Sequence, residues 1–382
     1  MRVKQLHLRN LDNLPAQLEA LKSIQPNWVL VFGAPSMMAD TSLLSTSLAA
    51  AFPTAIRTGC STAGEITAQG VAEDSCTIVG VHFEKTEIWE ATTTLSDMQD
   101  SYAAGQRLGE QLVGPDLRAV FVLAQGVAIN GSALSAGLSD CIGSTIPVSG
   151  GLAGDGTAFN QTWVLSSAGP ATQRAVAIGF YGDALHYAFG SFGGWQAFGP
   201  VRKVTRCEGN LLYELDGEPA LEIYKRYLGD HAKQLPASGL LFPFLMMNAE
   251  QMDSGLIRTI LGIDEATNSL ILAGEIDPDG YLRLMHSNPD ALAIGSERAA
   301  QAASEMMGDH PVDLAILVSC VGRKLTMGDL VDEEVEVVRD MLGAQATITG
   351  FYSYGEICPM APEEPCKLHN QTMTIAFLSE SV

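Results

Sequence analysis

A membrane-spanning helix needs about 18 consecutive apolar residues, and no stretch of this 382-residue sequence supplies them. The longest apolar run, residues 239–247, is half that length and contains Pro243. Residues 1–5 are not followed by the apolar segment of a secretory signal, so the expectation is a cytoplasmic protein with no membrane insertion. Basic residues are scarce, 22 Lys and Arg against 44 Asp and Glu, for a net charge of −22. No basic cluster offsets that sign, which excludes nucleic acid as a partner and docking on an anionic membrane. Close cysteine pairs are missing too. Seven cysteines, an odd number without a CxxC, fit free thiols in a reducing compartment and give no thiolate metal site. No HExxH joins any of the seven histidines, and no Walker A sequence occurs.

What is present is apolar material, 47% of the chain. A single core rarely grows beyond roughly 250–300 residues, so two domains are expected. Runs rich in Val, Ile and Leu predict buried strands at 28–32, 77–83, 119–123, 175–180, 313–318, 346–348 and 373–378. Helical spacing predicts helices at 42–51, 102–112, 133–141, 219–228, 298–307 and 332–342. Their alternation predicts an α/β fold. A repeat then emerges. Residues 58–66 and 349–357 both spell T-G-x4-G-E-I, each after a strand, a helix and a short strand. A looser third copy, 147–156, follows strand 119–123 and helix 133–141 and again sets a glycine before an acid, Gly154-Asp155. The junction near 204–208 divides the chain into 1–205 and 206–382, two tandem related α/β domains with mixed sheets flanked by helices.

Glycines that bracket four residues at a strand end form a concave turn of backbone N–H and hydroxyl groups. The first loop offers Cys60, Ser61, Thr62, Gly64 and Glu65. The second offers Gly150, Gly151, Gly154 and Asp155. The third offers Phe351, Ser353, Tyr354, Gly355 and Glu356. The carboxylates would accept from an ammonium or amide donor on a polar small molecule. Ser319-Cys320-Val321-Gly322-Arg323 follows a buried strand, and Arg323 would fork onto a carboxylate, a ligand's or that of Glu356. The competing expectation is structural: turns need glycine whatever they bind, and the Glu residues would cap local N–H groups. Residues 150–156 do not match a dinucleotide fingerprint, and 159–165 reads as a strand where that motif needs a helix. Cys60 and Cys320 carry the alternative of a cysteine-dependent hydrolase, although neither has a neighbouring activator in sequence. A single histidine suffices for haem iron, which leaves haem as an open cofactor alternative.

These motifs resemble the FIST family, named for F-box and intracellular signal transduction proteins. The resemblance rests on 59–66, 150–156, Gly194-Trp195 with Val204-Thr205, 214–220, 256–258, 319–323 and 350–357, and covers nearly the whole chain. It implies a non-enzymatic sensory input protein with FIST N-type and FIST C-type domains. The implied ligand is an amino acid or similar compound, and the implied partner is a separate histidine kinase, cyclic-di-GMP enzyme or other signalling protein. One bacterial branch of the family implies, as an alternative, a haem-binding nitric oxide sensor.

Overall fold

The computed structural model describes residues 1–39 and 41–381. One pattern, strand–helix–strand–helix–strand–hairpin–strand, occurs three times. The first repeat comprises β1 (Arg2–Leu8), α1 (Leu14–Lys22), β2 (Trp28–Gly33), α2 (Pro35–Ala39), α3 (Thr41–Ala51), β3 (Ile56–Ser61), a hairpin of β4 (Glu65–Thr67) and β5 (Gly70–Ala72), and β6 (Cys76–His82). The second comprises β7 (Glu87–Thr94), α4 (Ser101–Leu112), β8 (Leu117–Ala124), α5 (Gly131–Ile142), β9 (Val148–Leu152), a hairpin of β10 (Val164–Ser166) and β11 (Gly169–Ala171), and β12 (Arg174–Tyr181).

The third repeat opens with β13 (Leu185–Phe192) and is interrupted by an inserted unit. That unit holds β14 (Gln196–Glu208), β15 (Leu211–Leu215), β16 (Glu218–Pro219), α6 (Ala220–Leu228), β17 (Phe244–Met247), β18 (Asp253–Arg258), β19 (Ile260–Asp264), β20 (Ser269–Leu272) and β21 (Tyr281–His286). The repeat resumes with α7 (Pro289–Met307), β22 (Leu314–Cys320), α8 (Val321–Met327), α9 (Glu333–Leu342), β23 (Thr347–Ser353), a hairpin of β24 (Gly355–Cys358) and β25 (Lys367–His369), and β26 (Met373–Glu380).

Each repeat lends its hairpin to a neighbour. The three mixed sheets run β1-β6-β2-β3-β10-β11, β7-β12-β8-β9-β24-β25 and β13-β26-β22-β23-β4-β5. Among the described residues only the central pairs β2–β3, β8–β9 and β22–β23 are parallel. The exchange is cyclic, so the first repeat feeds the third, the third feeds the second, and the second feeds the first. Pairing of β4 with β23 thereby ties residues 65–67 to 349–351. The 205/206 point lies within β14.

The central strands are apolar without alternation because both faces are buried, as parallel strands covered on two sides require. Side chains one residue apart point to opposite faces. In β2, Trp28, Leu30 and Phe32 point to a core shared by all three repeats, while Val29 and Val31 pack under α1 and α3. In β22, Leu314, Ile316 and Val318 point inward and Ala315 and Leu317 outward. Aromatic rings close the shared core. Trp28 meets Phe180 at 5.5 Å and Phe121 at 6.1 Å, and Phe32 stacks on Phe351 at 4.7 Å. The inserted unit buries a separate core around Leu212, Leu221, Tyr224 and Leu270. No described helix is long and apolar enough to cross a membrane.

Candidate functional site

Three parallel strand pairs end in three equivalent loops, and one glycine explains why each loop begins as it does. Gly59, Gly150 and Gly350 pair with Val31, Val122 and Leu317 on the neighbouring parallel strand. A Cβ at these glycines would lie 2.0, 1.8 and 1.9 Å from the partner's carbonyl oxygen. Only glycine admits that approach. The Thr-Gly, Ser-Gly and Thr-Gly pairs of the sequence are therefore one structural position repeated three times.

The loops meet and bond directly to one another. Ala63 N–H donates to Tyr352 O and Tyr352 N–H to Gly64 O, both at 2.8 Å; Gly154 N–H donates to Ser61 O at 2.9 Å and Tyr354 N–H to Leu152 O at 3.2 Å. A Cβ on Gly154 would stand 2.8 Å from Ala63 N.

Glu65 and Glu356 do matching work in their own repeats. Thr62 Oγ1 donates to Glu65 Oε1, and Ser75 donates its N–H (3.2 Å) and its hydroxyl to Oε2. Ser353 Oγ donates to Glu356 Oε1 at 2.7 Å, and Thr372 donates N–H (3.1 Å) and Oγ1 (2.9 Å) to Oε2. Each glutamate thus pins the exchanged hairpin to the start of the last strand of its repeat. Burial pushes Glu356 up to about 7 and raises Glu65, against the pull of these donors. The capping role is the one the structure gives these acids, with Glu356 fully buried.

The third acid requires a correction. By pairing register the counterpart of Glu65 and Glu356 is Val164, because Val164 faces Cys60 as Glu65 faces Phe351 and Glu356 faces Gly151. Asp155 lies in an expanded loop, 153–163, that replaces most of the strand predicted at 159–165. Its carboxylate accepts from the N–H groups of Phe159, Asn160 and Gln161 at 2.8–2.9 Å and from the Tyr354 hydroxyl.

Arg323 is also corrected. It reaches neither Glu356 nor open solvent. Its guanidinium is fully buried and grips Glu334, with Nη2 at 2.8 Å and Nε at 3.1 Å. It also donates to the carbonyls of Gly193 and Leu292 and to Ser296 Oγ. Ser319 Oγ (2.8 Å), Tyr352 OH and Ser296 Oγ (3.4 Å) complete the shell of Glu334. Other expected site residues are likewise part of the frame. Ser61 Oγ accepts from Trp163 N–H at 2.8 Å. Gly151 and Gly355 sit where a Cβ would meet Gly355 O at 2.8 Å and Leu368 Cδ1 at 2.9 Å. Cys60 and Cys320 are buried, and burial pushes both thiols up, away from thiolate character.

What the structure opens is a groove beyond the carboxyl ends of β2, β3 and β22, the side on which open α/β sheets bind ligands. Its polar compartment, ≈ 400 Å³, includes Thr62, Gly64, Glu65 and Asp155 from the expected set, with Glu73, Asp74 and Lys324 added. Lys324 Nζ donates to Ala63 O at 2.7 Å and pairs with Glu73. Thr157 and Leu325 also line an apolar compartment of ≈ 680 Å³ walled by Leu235, Leu240, Leu241 and Ile260 of the inserted unit. A third compartment, ≈ 410 Å³, continues past Leu241 and Leu325 to Phe198, Phe242 and His286. Sequence reasoning stopped one residue short of Lys324, in the same run as Arg323. It had no route to the inserted unit's wall, which no repeated motif marks.

Comparison with known proteins gives consistent family matches. The profile described as the FIST N domain matches residues 27–218, and that of the FIST C domain matches 220–359. An uncharacterized protein of Methanocaldococcus jannaschii is 30% identical over 237 residues, 56% of this chain and 45% of that protein; the match thus spans less than half the length of that relative. Cyanuric acid hydrolase from A. caulinodans aligns over 100% of this chain and 99% of its own at 9% identity and a TM-score of 0.36, a likeness that carries no argument.

Proposed function

Because the chain belongs to the FIST family, whose domains are signalling-associated sensory modules, we propose that it is a sensory input protein. It binds a small molecule, an amino acid or similar compound, in the groove and reports it to a separate cytoplasmic partner such as a histidine kinase or cyclic-di-GMP enzyme. The supporting observation is that the groove's two walls belong to different bodies. Lys324, Thr62 and Asp155 belong to the three-repeat frame, whereas Leu241 and Ile260 belong to the inserted unit. A ligand touching both favours one arrangement of the two over others and so shifts a population that a partner reads. Arg323, next to Lys324 on α8, holds Gly193 O where the chain passes into the inserted unit. The function is binding rather than catalysis; in support of this, neither Cys60 nor Cys320 borders the groove.

Calorimetry with the twenty amino acids tests the proposal. A saturable heat that weakens at least about tenfold in Leu325→Trp, whose indole fills space bordering all three compartments, is expected. No heat from any of them, or equal affinity in Leu325→Trp, refutes it.

A haem-binding, nitric oxide-sensing role is the second reading, and His286 is the observation that favours it. It lines the third compartment beside apolar Phe198, Leu241 and Phe242, and one imidazole is all the protein ligation that haem iron needs. By contrast, His369 lines a hollow of only ≈ 210 Å³ and its Nε2 is bonded to Cys358 O at 2.9 Å. Protein supplied with hemin should develop a Soret band that His286→Ala abolishes. A colourless wild type removes this reading.

A further inference from the structure

The groove is divided by chemistry as well as by shape. Resting on the binding role proposed for it, we infer that its ligand is an amphipathic amine larger than a single amino acid, with an ammonium head in the polar compartment and an apolar body in the adjoining one. The head follows from charge. Glu73, Asp74 and Asp155 face the polar compartment with Lys324 as the cation among its described lining residues. Lys324 is already held by Ala63 O and Glu73. Asp155 has both oxygens filled by local donors and lines the space. Asp74 is exposed at the rim, with no ion pair among the described residues. Glu65 also lines the compartment, but it is buried and occupied by Thr62 and Ser75; the other three carboxylates against one ammonium leave a compartment that attracts a cation, within a chain whose net charge of −22 steers cations toward it.

The body follows from the neighbouring walls. Phe159, Leu261 and Leu325 are large apolar side chains left 36–46% exposed by three separate elements, and all three converge on the ≈ 680 Å³ compartment. Scattered exposed apolar residues need no explanation, but a contiguous set lining a concavity marks a binding surface. A compartment of this size lies in the roughly 300–1,000 Å³ range of pockets for drug-sized ligands. It exceeds what one side chain fills. Thr157 and Leu325 border both compartments, so head and body can belong to one molecule.

The probes are L-leucine, L-leucyl-L-phenylalaninamide and the N-acetylated form of that amide, titrated calorimetrically into the full chain. The free-amine dipeptide amide should bind at least about tenfold tighter than L-leucine, and acetylation should cost at least about tenfold. Asp74→Asn should weaken both free amines and leave the acetylated probe unchanged. Leu261→Ser, at a position 46% exposed, should weaken the dipeptide amide several-fold and leave L-leucine unchanged. If L-leucine binds and the dipeptide amide binds no tighter, the amphipathic assignment fails while the sensory groove stands. If the acetylated amide binds as well as the free amine, the cationic head is overturned. If none of the three binds, both the inference and the reading beneath it fall.

Discussion

Replacing Arg323 should unfold the protein more readily, not merely empty a binding site. Its guanidinium makes five hydrogen bonds, two to Glu334 Oε2 and one each to Gly193 O, Leu292 O and Ser296 Oγ. Both members of the Arg323–Glu334 pair are completely buried. In Arg323→Met, Glu334 keeps the Ser296, Ser319 and Tyr352 hydroxyls but loses its cation. Breaking a buried pair in this way costs about 3–5 kcal/mol, against a total stability of roughly 5–15 kcal/mol. At an unfolding entropy of about 2.1 cal/mol/K per residue, 382 residues convert that loss to a fall of about 4–6 °C in Tm. Scanning calorimetry of the purified variant reads it directly. The double variant Arg323→Met/Glu334→Leu removes the orphaned charge and should recover at least about 1 kcal/mol relative to the single variant, the sign expected when an ion pair is replaced by apolar groups. A single variant that melts within about 1 °C of wild type, or a double variant less stable than the single, would refute the assignment of Arg323 to the frame.

Three further outcomes are expected. Gly59→Ala, Gly150→Ala and Gly350→Ala should each destabilise by about 1–3 kcal/mol or more in urea titrations, because each added methyl meets a carbonyl oxygen at 1.8–2.0 Å; one harmless member would break the equivalence of the three repeats. Glu356 is raised from an ordinary 4.5 to about 7, so the folded state holds its proton where the unfolded state releases it. The stabilising contribution is complete below pH 4.5 and is lost as pH rises through about 7, on the order of 3 kcal/mol; wild type should therefore lose stability relative to Glu356→Gln between pH 5 and 8, and parallel pH curves would contradict this. Alkylation of the native protein should label the partly exposed Cys141 and Cys207 ahead of the five buried cysteines, and fast labelling of Cys60 or Cys320 would revive a nucleophilic role.

The sequence carried the layer structure well where physics is local. The seven apolar runs read as buried strands all exist, because buried central strands must be continuously apolar, as in residues 28–32 and 313–318, whereas 159–165 is mostly loop. The T-G-x4-G-E-I repeat marked a true equivalence, since Gly59 and Gly350 meet the same steric demand. What it hid was set by tertiary contact. The hairpin exchange depends on which sheet edge receives β4, β10 or β24, and nothing in those short strands announces the recipient. Asp155 resembled Glu65 in order along the chain, yet register hands that position to Val164. The acid-tipped loops looked outward in sequence because a buried, hydrogen-bonded carboxylate and a ligand-facing one use the same residue. The groove stayed invisible because half its wall comes from the inserted unit, brought opposite α8 only by folding.

The central claim is that a ligand occupies the groove around Leu325, the one side chain common to all three compartments. Native mass spectrometry of protein purified from its own host, wild type beside Leu325→Trp, tests it most directly. An added mass in the wild type that the groove-filling indole displaces, with both chains folded, is the predicted result. The same added mass at equal occupancy in both proteins would place the ligand elsewhere and contradict it.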